Sequence, residues 1–194
     1  MNFKTIQIEE IMITKKKKNT FLSFRIGNET FAVSVRKALE VLEKQYITRV
    51  PNVPSYIEGV INFRGKIIPV IDARLKFNLP KRAEGEKYVV IVFDLMVEEK
   101  KMIIGAMADS VQDVIAFDEE NILEVPELGF NYNAEFILGM LKNENSFTMI
   151  LDIDKVFSSE EVNIMSQATD KQVTEKVEAE TELAPASSKK SKKK

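Results

Sequence analysis

The sequence predicts a mainly β fold made of two similar subdomains, and three observations carry that prediction. Between residues 20 and 157 the chain runs in short stretches rich in β-branched and aromatic residues that alternate with polar ones, the period of a half-buried strand. Turn signals separate these stretches at short intervals, as in sandwiches and small barrels. A set of landmark residues then recurs, in the same order, in the two halves of that region.

Residues 1–19 read as an N-terminal extension ending in four lysines, 15–18, a like-charge run expected to be solvated. Phe21-Leu22-Ser23-Phe24-Arg25-Ile26 alternates into the turn signal Gly27-Asn28-Glu29, and Thr30-Phe31-Ala32-Val33-Ser34-Val35 alternates out of it, which predicts a hairpin. Segments 66–71, 87–95 and 101–114, rich in valine and isoleucine, are further strands. Segments 55–63, preceded by Pro51 and Pro54, and 134–141 read as short helical turns. Ser158-Ser159-Glu160-Glu161 is a capping box that opens a C-terminal helix over 158–165. Residues 166–194 hold five acids, seven lysines and almost no bulky apolar side chain, which predicts a disordered charged tail.

The repeat is specific. Glu40-Val41-Leu42, then Ile47-Thr48-Arg49-Val50-Pro51, then Tyr56-Ile57-Glu58-Gly59 are matched by Asp113-Val114-Ile115, Ile122-Leu123-Glu124-Val125-Pro126 and Phe136-Ile137-Leu138-Gly139. In both halves an aspartate follows the glycine by 13 residues (Asp72, Asp152) and a phenylalanine follows the aspartate by 5 (Phe77, Phe157). Two β subdomains of about 70 residues have marginal cores alone, so they are expected to pack together and leave a groove where they meet.

Composition excludes several functions. There is no cysteine and no histidine, which removes disulfides, thiolate chemistry, the commonest metal ligands and the usual general base. The glycines form no phosphate-cradling loop. Adjacent acids such as Glu98 and Glu99, Glu119 and Glu120, or Glu160 and Glu161 read as solvated surface, not as a catalytic pair. A cofactor, a metal and an enzymatic activity are therefore not expected. The extension shows no export signal and no stretch is apolar enough to span a bilayer, which predicts a cytoplasmic protein.

Segment 50–72 is the most distinctive. Pro51 and Pro54 fix an extended approach, Gly59 permits close approach or ends a helix, and Arg64-Gly65 turns the chain into the next strand. Pro69 implies an edge strand or a bulge. Arg64, among apolar neighbours, is either an ordinary exposed arginine or a partly buried guanidinium in need of a partner, for which Glu40 is the favoured candidate. In its Asn62, Arg64, Gly65, Pro69 and Asp72 this segment resembles the signature of the CheW family of chemotaxis coupling proteins, with Phe63 and Ala73 where leucine is usual. The similarity extends over about 20–165, taking in Glu40 and Leu151-Asp152-Ile153-Asp154-Lys155.

The resemblance implies two intertwined five-stranded barrels of the SH3-like type, a CheW-like domain over 20–157. It also implies a non-enzymatic adaptor with two partners, the cytoplasmic tip of a chemoreceptor and the regulatory domain of the histidine kinase CheA, in membrane-associated receptor arrays. Carried onto this chain, the receptor-facing positions are Ala38, Gly59, Arg64 and Val89, with Glu40 pairing Arg64 and with Val41, Val89 and Ile91 as an apolar floor. Ala38 is smaller than the aliphatic residue usual there. The kinase-facing surface is expected around Ile47, Val50, Val53 and Glu58. A CheV-type adaptor or a whole kinase needs a further domain, for which 166–194 is too short. The alternative from another class is an oligonucleotide-binding small barrel with lysine-rich arms. Against it, residues 1–165 carry 21 basic and 25 acidic side chains, without the basic excess that nucleic-acid binding needs.

Overall fold

The computed structural model describes residues 20–117, 119–125, 134–143 and 146–182, with side chains described as far as Asp170. The 1–19 extension and residues 183–194 of the tail lie outside the described residues. The elements are strands β1 (Thr20–Ile26), β2 (Glu29–Ser34), β3 (Ala38–Leu42), β4 (Ile57–Phe63) and β5 (Lys66–Asp72), the short helix α1 (Ala73–Lys76), strands β6 (Val89–Val97), β7 (Lys100–Ala108), β8 (Ser110–Ala116), β9 (Ile137–Lys142) and β10 (Phe147–Leu151), and helix α2 (Ser159–Glu182).

Two five-stranded sheets result, ordered β8-β1-β2-β10-β9 and β3-β6-β7-β5-β4. The first joins the start of the chain to its second half, so the subdomains are intertwined. The orders match place for place: β3, β4, β5, β6 and β7 stand where β8, β9, β10, β1 and β2 do. Each sheet has one parallel pair, β5 with β7 and β10 with β2. The sheets are not closed into the barrels that the resemblance implies. Closure would require the β3–β4 connection to pair along β4, and it manages one bridge, Thr48 with Val60. Pro51 and Pro54 have no N–H to continue that ladder.

Both copies of the repeat fold alike. Thr48 and Val60 exchange backbone hydrogen bonds at 2.9 and 2.8 Å, and Leu123 and Met140 do the same at 2.8 and 2.9 Å. The Asp72 N–H donates to Tyr56 O at 2.7 Å and the Asp152 N–H to Phe136 O at 2.8 Å. Each aspartate then caps the turn that follows, accepting from the N–H two residues on. Phe77 and Phe157 are both buried.

The main core lies between the sheets. Its aromatic spine runs Phe93–Phe24–Phe31–Phe77–Phe136, with successive ring centroids 6.3, 6.1, 5.2 and 5.4 Å apart. A second cluster, around Ile61, Phe63, Val70, Val90 and Val92, fills the other face of the second sheet.

Several elements differ from expectation. Of segment 55–63, residues 55–56 form a turn and 57–63 are strand β4, not a helical turn, because they pair along β5. Segment 134–141 is a single 3-10 turn (Ala134–Phe136) running into β9. The 101–114 run is two strands broken at Asp109. Pro69 lies on an inner strand, one residue before the parallel ladder to β7 begins at Val70, and the bulge is in its partner β4, between Ile57 and Gly59. The C-terminal helix does not stop at 165 but continues to Glu182, so 166–182 is helical where a disordered tail was expected.

Candidate functional site

The β4–β5 hairpin has a two-residue turn, Arg64-Gly65, with φ of 51° and 82°. These values are those of a type I′ turn, which matches strand twist and tolerates glycine best. Asn62 Oδ1 accepts the Gly65 N–H at 2.9 Å and holds the turn shut. Arg64 is thereby pushed outward, and its guanidinium lies 5.2 Å from the Phe63 ring centroid.

Its Nε and Nη2 reach Glu40 Oε2 at 3.1 and 2.8 Å. The favoured partner is the observed one, but Arg64 is not partly buried: its side chain is 62% exposed against 15% for Glu40. An anchored carboxylate steers an exposed guanidinium, which is a geometry for presenting donors to a partner.

The other receptor-facing candidates divide by depth. Val41 and Val89 are half-buried at the margin of the inter-sheet core. Ala38 and Ile91 are buried within it, so Ile91 supplies no exposed floor. Ile91 pairs Val41 in the β3–β6 ladder and lies beside it on the same face. Gly59 is buried under the β3–β4 connection.

Of the kinase-facing candidates, Ile47 and Glu58 are half-exposed, and Glu58 is the unpaired residue of the β4 bulge. Val50 is buried with Val60 and Ala168 of α2, and Val53 packs beside them, so Val50 belongs to a covered apolar cluster. Next to Ile47, Tyr46 is 91% exposed; an exposed aromatic in a polar loop has no sequence signal of burial.

Two polar clusters hold this architecture, and neither was read from the sequence as a cluster. Asp109 accepts from Arg74 Nη2 at 2.8 Å, Arg82 Nη2 at 2.7 Å and the Gly27 N–H at 2.6 Å. Burial pushes its carboxyl up, but the two arginines and the Gly27 N–H outweigh this and hold it below the usual range. The only signal was an aspartate interrupting a valine- and isoleucine-rich run.

The second cluster anchors α2. The capping box forms as expected: the Glu161 N–H donates to Ser158 Oγ at 3.2 Å and the Ser158 N–H to Glu161 Oε2 at 2.9 Å. Glu161 Oε1 also accepts from Tyr56 Oη at 2.7 Å and Lys76 Nζ at 2.5 Å. Burial pushes Glu161 up, yet Lys76, the Ser158 N–H and Tyr56 hold it below the usual carboxylate range. Burial and the bond to Glu161 push the Tyr56 phenol well up. A depressed carboxyl adds stability above its unfolded pKa and loses it as pH falls through the folded one. Glu161→Gln is therefore expected to cost about 1–2 kcal/mol at pH 7 and little in strong acid, where the folded carboxyl is protonated, as measured by urea melts across pH.

Among the described residues, no group of acidic side chains is arranged to hold a metal ion, and no helix is long and apolar enough to cross a membrane.

Comparison with known proteins places this geometry. The model of the CheW-like domain matches residues 20–161. The chemotaxis protein CheW of Klebsiella aerogenes is 33% identical over 145 residues, covering 75% of this chain and 85% of that protein. That of Treponema pallidum is 31% identical over 143 residues, covering 73% and 83%. The protein FrzA of Myxococcus xanthus is 32% identical over 123 residues, 63% of this chain and 73% of its own. Among solved structures, the scaffolding protein TtCheW of Thermoanaerobacter tengcongensis aligns with a TM-score of 0.65 at 27% identity, covering 76% of this chain and 93% of that one.

Proposed function

Since the chain belongs to the CheW family of chemotaxis proteins, we propose that it is a scaffold coupling a CheA-type histidine kinase to chemoreceptors, without chemistry of its own. The observation that carries this reading is the Glu40–Arg64 pair, an exposed guanidinium held by a mostly buried carboxylate at a rigid hairpin tip. On the face of the second sheet opposite to Glu40, Val41 and Val89 offer apolar surface at the margin where the two sheets meet. Few directional donors together with an apolar margin suit an amphipathic helix such as a receptor tip.

The kinase regulatory domain docks, on this reading, on the opposite rim of the second sheet at Ile47, Glu58 and the exposed Tyr46, with Val50 and Val53 as support beneath. An exposed aromatic near half-buried aliphatics has the make-up of an interface anchor. Engaging both partners at once raises their effective concentration and fixes their orientation, and receptor state then biases the kinase through differential contacts. The protein works in the cytoplasm, at membrane-bound receptor arrays.

The test is Arg64→Ala. A pull-down with a receptor cytoplasmic fragment is expected to weaken about tenfold, the loss of one well-formed charged contact, while kinase binding changes less than about twofold. Unchanged receptor binding, with the fold intact by circular dichroism, contradicts the assignment.

A further inference from the structure

A cleft of about 310 Å³ opens between the β3–β4 connection and segment 81–88. Lys44 and Arg49 line it from one side, and Lys81, Arg82 and Tyr88 from the other. Lys44, Arg49 and Lys81 make no ion pair among the described residues.

Arg82 gives the cleft a built floor. Its side chain is 6% exposed, and Nη2 is committed to Asp109 at 2.7 Å. Nε and Nη1 are buried with no acceptor. The guanidinium lies 5.3 Å from the Tyr88 ring centroid, and the Lys44 ammonium lies 5.8 Å from the same centroid. One aromatic ring therefore gathers two cations at one place.

The carboxylates around the cleft do not cancel this charge. Glu86 is engaged by Arg74 at 3.3 Å and by the Ala83 N–H. Asp72 accepts the Arg74 N–H. Glu58 faces the cleft without an ion-pair partner. Even with Glu58 and Asp72 both charged, the three unpaired cations outnumber them. Buried N–H donors without acceptors are rare and costly, so the arrangement lacks an acceptor. An oxyanion supplies several, in the planar geometry that a guanidinium fits.

We infer that this cleft binds a compact oxyanion of the phosphate class, with Arg82 as its floor and Lys44, Arg49 and Lys81 at its mouth. The cleft shares Ile47 and Glu58 with the proposed kinase-docking surface, but the inference draws on neither partner and is tested without them.

The experiment is an NMR titration of the full chain at constant ionic strength, following the Arg82 Nε–H and the Gly85 and Tyr88 amides. Inorganic phosphate is one arm and glycerol 3-phosphate the other, separating a free anion from a phosphoryl group on an organic body. Sodium chloride is the control. Saturation below about 20 mM in either arm is expected, with affinity falling at least about tenfold in the Lys44→Glu, Lys81→Glu double variant. Both positions are at the cleft mouth and outside the core, so the variant keeps its fold. Shifts that track ionic strength equally in chloride, or saturation that the double variant leaves unchanged, overturn the proposal.

Discussion

Asp109→Ala is expected to lower the free energy of unfolding by about 3–5 kcal/mol, the usual cost of breaking a buried charge cluster from one side. The carboxylate is only 9% exposed, and it serves Arg74 and Arg82, whose side chains are 16% and 6% exposed. Removing it leaves two guanidinium groups largely out of water: Arg74 keeps Glu86 and the field of Asp72, while Arg82 loses the carboxylate it is bonded to. The damage spreads because Asp109 links three places: the β7–β8 junction it occupies, the β1–β2 turn through the Gly27 N–H, and the chain around α1 through Arg74. Asp109→Asn keeps one acceptor oxygen and turns the other into an NH2 that faces donors, and at least about half the loss is expected.

The pH dependence follows from the same contacts. The folded carboxyl is held below its ordinary range, so its contribution is complete above the unfolded pKa and fades as pH falls through the folded value. Denaturant midpoints of wild type and Asp109→Ala should thus converge only in strong acid. A difference under about 1 kcal/mol at pH 7 contradicts the structural role.

Gly59→Ala is the second large effect. A Cβ at this position would stand 2.1 Å from Thr48 O and 2.9 Å from Ile47 Cγ2, on a backbone with φ of 147°. Neither the backbone oxygen nor the backbone angle has room to give, and a cost of about 3 kcal/mol or more is expected. Its counterpart in the other sheet separates backbone from packing. A Cβ on Gly139 would meet the Ile122 Cγ2 at 2.2 Å and Leu123 O at 3.0 Å, and the nearer atom is a side-chain methyl that a χ1 change of Ile122 displaces without moving backbone. Gly139→Ala should cost about 1–2 kcal/mol. Equal costs at the two sites would contradict this account of Gly59. Because Gly59 seats the connection that carries Tyr46 and Ile47, its alanine variant should also weaken kinase binding more than receptor binding.

The two sheets were legible where the signal is local. The β1–β2 hairpin followed from Gly27-Asn28 between alternating runs, and the landmarks of the repeat marked positions that the folded chain makes equivalent. They marked only part of it. The equivalence of β1–β2 with β6–β7 is circularly shifted in sequence, with no shared glycine or aspartate to show it, and emerges only from strand order.

The errors have physical causes. Tyr56-Ile57-Glu58-Gly59-Val60-Ile61 after two prolines reads as a helix start, but the tight Arg64-Gly65 turn folds β5 back along it, with a bulge at Glu58, and makes it β. The break at Asp109 depends on Arg74 and Gly27, which are remote in sequence. The tail beyond 165 was read from its low hydrophobicity, whereas its alanine, glutamate, lysine and glutamine residues favour helix, and Ala168 finds apolar cover against Val50 and Val60. The Glu40–Arg64 pairing was legible because both residues belong to recognisable segments. Their exposure was not, since it depends on a turn that places Arg64 at the tip.

The claim that this chain is a coupling scaffold is tested most directly by calorimetric titration against the isolated regulatory domain of the CheA kinase from the same organism. Saturable one-to-one binding at about micromolar affinity or tighter, weakened by Tyr46→Ala and unaffected by Arg64→Ala, is the predicted result. No detectable heat of binding, with both proteins folded, would contradict it.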